Sequence, residues 1–264
     1  MSKSNSKILS LENKDIWVIG GAGYLGQATV ILLQGAGAKV LCGDLENRAQ
    51  TFVEASGLAG DVTAATIDIR NEEAIKQFVS EQIKTRGVPH GLVNLTFAST
   101  AKKMEELSAE EFDAVNHGGL TSTFLLSREV GSQMAREMRG SVVLFSSMYG
   151  MVSPDPQMYE GTLMNKNPIE YGVGKAGVIQ MTRYMAVHWG KQNVRCNCIS
   201  PGPFPNPTVQ KNNPEFVQRL AQKSPMGRFG KSEEIGGAVA FLLSDAASYI
   251  TGQNIAVDGG WTSW

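Results

Sequence analysis

The chain is poor in cysteine, and the three it has, Cys42, Cys196 and Cys198, are too few and odd in number for a disulfide framework. Cys196 and Cys198 flank one residue inside an apolar, strand-like run, and no Cys or His cluster completes four ligands. Packing is their expected role, and no metal site is assigned. Histidine is equally scarce: His90, His117 and His188 form no triad and no metal spacing. Long uncharged runs are missing too, so no segment is expected to span a bilayer. Residues 1–10 are polar and lack the apolar segment of a leader, which makes a cytoplasmic location the expectation. Nor is there an excess of one charge: 24 basic and 25 acidic residues give a net charge of -1, without the positive surplus that nucleic acid or an acidic membrane selects.

What the chain does have is enough apolar residues, 42% of 264, to bury one sizeable core, so residues 1–264 are read as a single domain. Short apolar runs at 15–20, 39–43, 63–67, 91–95, 141–146, 195–199 and 254–257 alternate with helical patterns at 25–34, 45–55, 72–84, 108–138 (broken near Asn116), 171–189, 214–222 and 232–244. Such alternation predicts a parallel sheet covered on both faces. Two irregular stretches rich in Pro and Asn, within 148–170 and 201–213, are long enough to be functional loops.

The first strand runs into Gly20-Gly21-Ala22-Gly23-Tyr24-Leu25-Gly26 and then a helix. Glycine permits a tight turn and lets a pyrophosphate approach backbone N–H groups at the helix N-terminus. The second strand ends in Asp44, eighteen residues beyond Gly26, near the distance expected of an acid that binds a ribose. Tyr171 and Lys175 stand four residues apart, the spacing that stacks two side chains on one helix face. A cation beside a phenol, whose free pKa is ~10, favours the phenolate and suits it to proton exchange.

These features, with Ser146-Ser147, Ser200-Pro201-Gly202 and Val257-Asp258-Gly259-Gly260 in order, make nearly the whole chain resemble a classical short-chain dehydrogenase/reductase. The resemblance implies an α/β, doubly wound parallel sheet (the Rossmann fold), a nicotinamide dinucleotide, and hydride transfer to or from a secondary alcohol or ketone. It also implies a catalytic set: Tyr171 moves the proton, Lys175 lowers its pKa and holds the ribose, Ser147 positions the substrate oxygen, and Asn116 holds a relay water. Ser147 is chosen over Ser146 because Met148-Tyr149-Gly150 follows it as the family's pattern expects, and Ser146 then points the other way along an alternating strand. Cofactor contacts are carried to Gly20, Gly23, Tyr24, Leu25, Gly26, Asp44, Asp68, Ile69, Asn94, Tyr171, Lys175, Pro201 and Gly202. NAD is expected over NADP, because Asp44 accepts ribose hydroxyls and repels a 2'-phosphate, with Arg48 the nearby cation that argues otherwise. A homotetramer built on helices 108–138 and 171–189 is a further implication. Epimerase-type chemistry on bound NAD and a non-catalytic dinucleotide-binding protein are the alternatives.

The chain departs from the family pattern in four places. Tyr24 stands where a second glycine is usual, Asn94-Leu95-Thr96-Phe97 replaces Asn-Asn-Ala-Gly, and Asn206 replaces a threonine after Pro-Gly. Finally, 24 residues separate Ser147 from Tyr171, about double the usual interval. Tyr159 lies closer to that interval but has Leu163 four positions on, so Tyr171 is retained. The segments 154–161 and 258–264 resemble oxidoreductases of bacterial surface-sugar pathways, including those linked to legionaminic acid and flagellin glycosylation, and gluconate or polyol dehydrogenases. They imply a hydroxylated, sugar-like or nucleotide-sugar substrate, with Tyr149 and Tyr159 stacking on a ring and Lys102 and Lys103 facing a phosphate.

Overall fold

The computed structural model describes residues 8–162 and 164–264; most of the polar leading segment and Leu163 lie outside the described residues. Seven strands, β1 (Asp15–Ile19), β2 (Lys39–Asp44), β3 (Val62–Thr66), β4 (Gly91–Asn94), β5 (Gly140–Phe145), β6 (Val194–Pro201) and β7 (Asn254–Val257), form one sheet in the order β3-β2-β1-β4-β5-β6-β7. Every neighbouring pair is parallel. Alternate residues of β1 feed opposite layers: Trp17 and Ile19 pack with α3 (Glu72–Arg86), α5 (Ser122–Arg136) and α6 (Ile169–Trp189), whereas Ile16 and Val18 pack with α1 (Tyr24–Gly35), α2 (Arg48–Ala55) and α9 (Ser232–Leu243). Burial on both faces explains why the strands read as unbroken apolar runs.

The strand order reverses between β1 and β4, and the crevice beyond the carboxyl ends of these strands is where such sheets bind ligands. Gly20, Asp44, Asn94, Ser147 and Pro201 all fall at or just past strand ends there. The predicted break near Asn116 is real: α4 (Ala109–Asn116) gives way to a wider π turn over His117–Thr121 before α5 begins. The second helix starts three residues later than predicted, because the Asp44 carboxylate accepts from Leu45 N and Glu46 adopts a left-handed φ of 49°. The loop 201–213 contains an unpredicted helix, α7 (Pro207–Asn212), capped by Asn206 Oδ1 on Val209 N and opened by Pro207. It is followed by α8 (Pro214–Lys223).

Leu126 is fully buried between the sheet and α6. Leu126→Ala should cost ~2–5 kcal/mol in urea unfolding, the range for emptying a packed leucine site. A loss well under ~1 kcal/mol would show that this layer closes around the gap.

Candidate active site

The glycine turn is shaped by contacts no side chain could share. Gly20 has φ 81°, and a Cβ on Gly26 would lie 2.2 Å from Gly20 O. With the turn held this tightly, the first amides of α1 face the crevice, the arrangement that receives a phosphate. Two cavities meet at Gly20 and Gly23. One, of about 250 Å³, is lined by Asp44, Arg48, Asp68, Ile69 and Arg70. The other, of about 280 Å³, is lined by Tyr24, Leu25, Gly26, Ser147, Tyr171, Lys175, Pro201, Gly202 and Asn206. Asn94 lines neither. It is buried beneath the crevice, donating to Thr123 Oγ1 and accepting from Thr96 N and Oγ1, so its role is to hold the loop after β4.

Asp44 is buried; its Oδ2 accepts from Ala22 N at 2.9 Å, tying strand end to glycine turn, and Arg48 pairs with its Oδ1 at 3.1 Å. Oδ1 also accepts from Leu45 N, so it is Oδ2 that keeps acceptor capacity for a hydroxyl. Arg70 grips Asp68 through Nε and Nη2, and this pairing holds the Asp68 carboxyl below its ordinary value. The adenosine side therefore holds two cations, each matched by a carboxylate, where the sequence suggested Arg48 alone.

On the other side, Tyr171 and Lys175 occupy successive turns of α6, with the Lys175 Nζ 5.6 Å from the phenol ring centroid. Nζ is buried and donates to Phe145 O at 2.8 Å. Burial pulls this ammonium from 10.5 to about 8. The expected depression of Tyr171 by Lys175 is not what governs here: burial pushes the phenol up, and the Ser147 hydroxyl is the group that pulls it down. Ser146 Oγ donates instead to Lys175 O at 2.7 Å, so the two serines point to different partners, as the alternation requires. Asn116, at the end of α4, donates Nδ2 to Phe112 O, while its buried Oδ1 has no partner and faces Gly174.

Two residues beside the tyrosine escaped the sequence reading. Phe97 is 68% exposed, lies edge-on to Tyr171 at 6.2 Å, and lines both cavities. Its signal was an aromatic where the family has glycine. Glu170 is fully buried, and only its place next to Tyr171 could have drawn attention.

Of the two insertion tyrosines expected to face a ring, Tyr149 lines a cavity and Tyr159 is packed inward. Tyr159 packs on Phe216, and its hydroxyl meets Tyr149 Oη at 3.0 Å. Asp155 is paired with Lys223, Arg219 donates to the carbonyls of Met158 and Glu160, and Lys102 is paired with Glu111. A cavity of about 740 Å³ lies beside this segment but includes neither Ser147 nor Tyr171; its part of α6 is Ile169, Gly172, Val173 and Ala176, on a different side of the helix from the tyrosine and lysine.

The fold, the phosphate-ready turn and the grouping of Ser147, Tyr171 and Lys175 define a dinucleotide-dependent oxidoreductase. A family model described as enoyl-(acyl carrier protein) reductase matches residues 21–262. The chain is 32% identical over 254 residues to 3-oxoacyl-(acyl-carrier-protein) reductase FabG of Thermotoga maritima, covering 96% of this chain and 99% of that one. It is 32% identical over 257 residues to 7alpha-hydroxysteroid dehydrogenase of Bacteroides fragilis, covering 95% of each. Among solved structures, a short chain dehydrogenase from Leptospira borgpetersenii with bound NAD+ superposes with a TM-score of 0.86 at 30% identity, covering 99% of this chain and 97% of that one. A gluconate 5-dehydrogenase from Burkholderia cenocepacia in complex with NADP and tartrate shares the fold, with a TM-score of 0.86 at 22% identity and 98% of each chain covered. The chain belongs to the short-chain dehydrogenase/reductase family and is an NAD(P)-dependent oxidoreductase.

The buried lysine makes stability depend on pH. Between about 8 and 10.5 the unfolded chain holds a proton that folded Lys175 has released, so stability rises with pH across that window. At ~1.4 kcal/mol per pKa unit the rise is roughly 3 kcal/mol. Urea unfolding at pH 8 and 10.5 should show this rise in the wild type and its loss in Lys175→Met. An identical pH slope in both proteins would mean that Lys175 is not desolvated as described.

Proposed function

We propose that the protein oxidises or reduces a hydroxylated, sugar-like substrate at a secondary alcohol or ketone, using NAD(H). The observation that carries this reading is the convergence of the Ser147 hydroxyl and the Tyr171 phenol on the cavity that also holds Lys175 and the glycine turn. The crevice fits a dinucleotide: Gly26 lets the turn close tightly against the start of α1, Asp44 stands at the adenosine end, and two cavities adjoin along it. Gly20 through Gly26 would hold the pyrophosphate, Asp44 the ribose hydroxyls, and Lys175 the second ribose. The nicotinamide supplies a hydride acceptor or donor. Ser147 holds the substrate oxygen, and Tyr171 takes or gives its proton as charge develops there.

A hydroxylated substrate is supported by the polar groups near the insertion. Lys103 and Lys166 line the large cavity with Asn165 and Asn167, and Asn167 keeps a buried Oδ1 without a partner. A second reading, an acyl or steroid substrate, is favoured by the relatives' names and by Met104, Met151, Val152 and Val173 in the same cavity. The exposed apolar line Ile169, Val173, Tyr184 and Val187 along α6 supports assembly with further copies as a homotetramer. The absence of any described helix long and apolar enough to cross a membrane accords with a cytoplasmic setting.

Turnover of gluconate, other sugar acids, polyols and nucleotide sugars, set against a long-chain ketone, a 3-oxoacyl thioester and a hydroxysteroid, decides between the readings; fastest turnover of a greasy substrate sinks the first. With the best substrate, Tyr171→Phe should lower kcat ~10²- to 10⁴-fold while leaving the cofactor Kd in place. Loss of cofactor binding instead would make the phenol a scaffold.

Asp44 decides cofactor choice in this reading. Asp44→Ala should narrow the ratio of NADPH to NADH dissociation constants at least tenfold. Taking the ratio cancels the general loosening caused by losing the Ala22 contact. An unchanged ratio would transfer specificity to Arg48 and Arg70.

A further inference from the structure

Phe97 stands where the two cavities of the crevice join. Four residues line both: Gly20 and Gly23 of the turn, and Leu95 and Phe97 of the loop after β4. A dinucleotide that runs from the Asp44 end to the Tyr171 end has to pass these four. Two of them have no side chain, Leu95 is half-buried, and Phe97 alone is exposed.

The loop that carries the ring is fixed on both sides of it. Before Phe97, Leu95 N donates to Ile19 O at 2.9 Å, and Asn94 Oδ1 accepts from Thr96 N and Oγ1. After it, Glu170 Oε1 accepts from Thr100 N at 3.1 Å and Thr100 Oγ1 at 2.8 Å. The loop also lies against the turn, since a Cβ at Gly20 would come within 3.2 Å of Leu95 C and Thr96 N. Held this way, the loop presents the ring to the crevice and not to the core. Phe97 belongs to none of the buried clusters, and its ring contact is the edge-to-face one with Tyr171 at 6.2 Å. An aromatic ring left open to water on an anchored loop is apolar area that a ligand can cover.

We propose that Phe97 is a cofactor-binding residue that clamps the middle of the dinucleotide, its ring packing on the C–H face of the nicotinamide-side ribose beside Tyr171. The inference rests on the dinucleotide reading of the crevice given above and not on the choice of substrate. The glycine usual at this position offers no such contact. Apolar cover here adds affinity without choosing between NADH and NADPH, which differ at the far, Asp44 end. A fragment that fills only the adenosine cavity gains nothing from it.

Titration of NADH, NADPH and AMP into the wild type, Phe97→Ala and Phe97→Tyr tests this with no substrate present. Because the ring is outside the buried clusters, its removal leaves the fold in place. Phe97→Ala should raise the Kd of NADH and of NADPH each about tenfold, the loss expected when roughly 50 Å² of apolar area goes uncovered. Most of that loss should appear as faster dissociation in stopped-flow displacement of NADH. The Kd of AMP should stay within about twofold, and Phe97→Tyr, which keeps the ring, should bind all three as the wild type does. A loss for AMP as large as that for NADH would put the ring on the adenosine side and overturn the clamp. An unchanged NADH Kd in Phe97→Ala would overturn it too, and a raised KM for the best substrate beside it would make Phe97 a wall of the substrate pocket instead. A wild type that binds neither NADH nor NADPH would sink the dinucleotide reading and this inference with it, whereas binding that Phe97→Ala leaves intact sinks this inference alone.

Discussion

Lys175 is joined to the end of β5 twice. Its side chain donates to Phe145 O, and its own carbonyl accepts from Ser146 Oγ, so a strand end and a helix turn are cross-tied at one residue. The rest of the site depends on this double tie. It fixes which serine faces the phenol, and it sets Tyr171 one turn from the ammonium. A Cβ at Gly150 would meet Ser146 Oγ at 2.7 Å and Lys175 C at 2.8 Å, so the chain leaving β5 must pass this point without a side chain.

Burial serves chemistry here at a cost to stability. A buried ammonium carries a desolvation penalty that a methionine of similar volume would avoid, and one hydrogen bond to a carbonyl offsets only part of it. Lys175, Asn116 Oδ1 and Glu170 Oε2 cluster within one turn of the tyrosine and would each be unfavourable in an ordinary core. The sheet is covered by apolar layers on both faces, in which the Cys42 and Cys196 thiols pack as small apolar groups while Cys198 Sγ donates to Asn254 Oδ1.

Much of this was legible in the sequence because it depends on local pattern. Continuous apolar runs give strands buried on both faces, a glycine turn before a helix gives a tight bend that lines the crevice, and Tyr171 and Lys175 four apart give a shared helix face. What stayed hidden depends on long-range partners. Nothing near Asn94 says that Thr123 holds its amide, and nothing near Tyr159 says that Phe216 and Tyr149 enclose it. Lys102 reads as a cation that faces a phosphate until Glu111 is found beside it. Helix α7 was missed for a different reason: its six residues are too short for a periodic signal, and Asn206-Pro207 marks a turn as readily as a helix start.

The insertion and α8 hold each other mainly through contacts that bypass the sheet: Asp155 with Lys223, Arg219 with two carbonyls, and Tyr159 with Phe216. Lys223 also lies over the ring of Trp261, which brings the last turn of the chain into the same assembly. These parts therefore form one unit held by matched pairs. A change on one side leaves a charge, a donor or a ring without its mate on the other, so the wall built by the insertion answers to α8 and the last turn of the chain more than to the strand ends of the sheet.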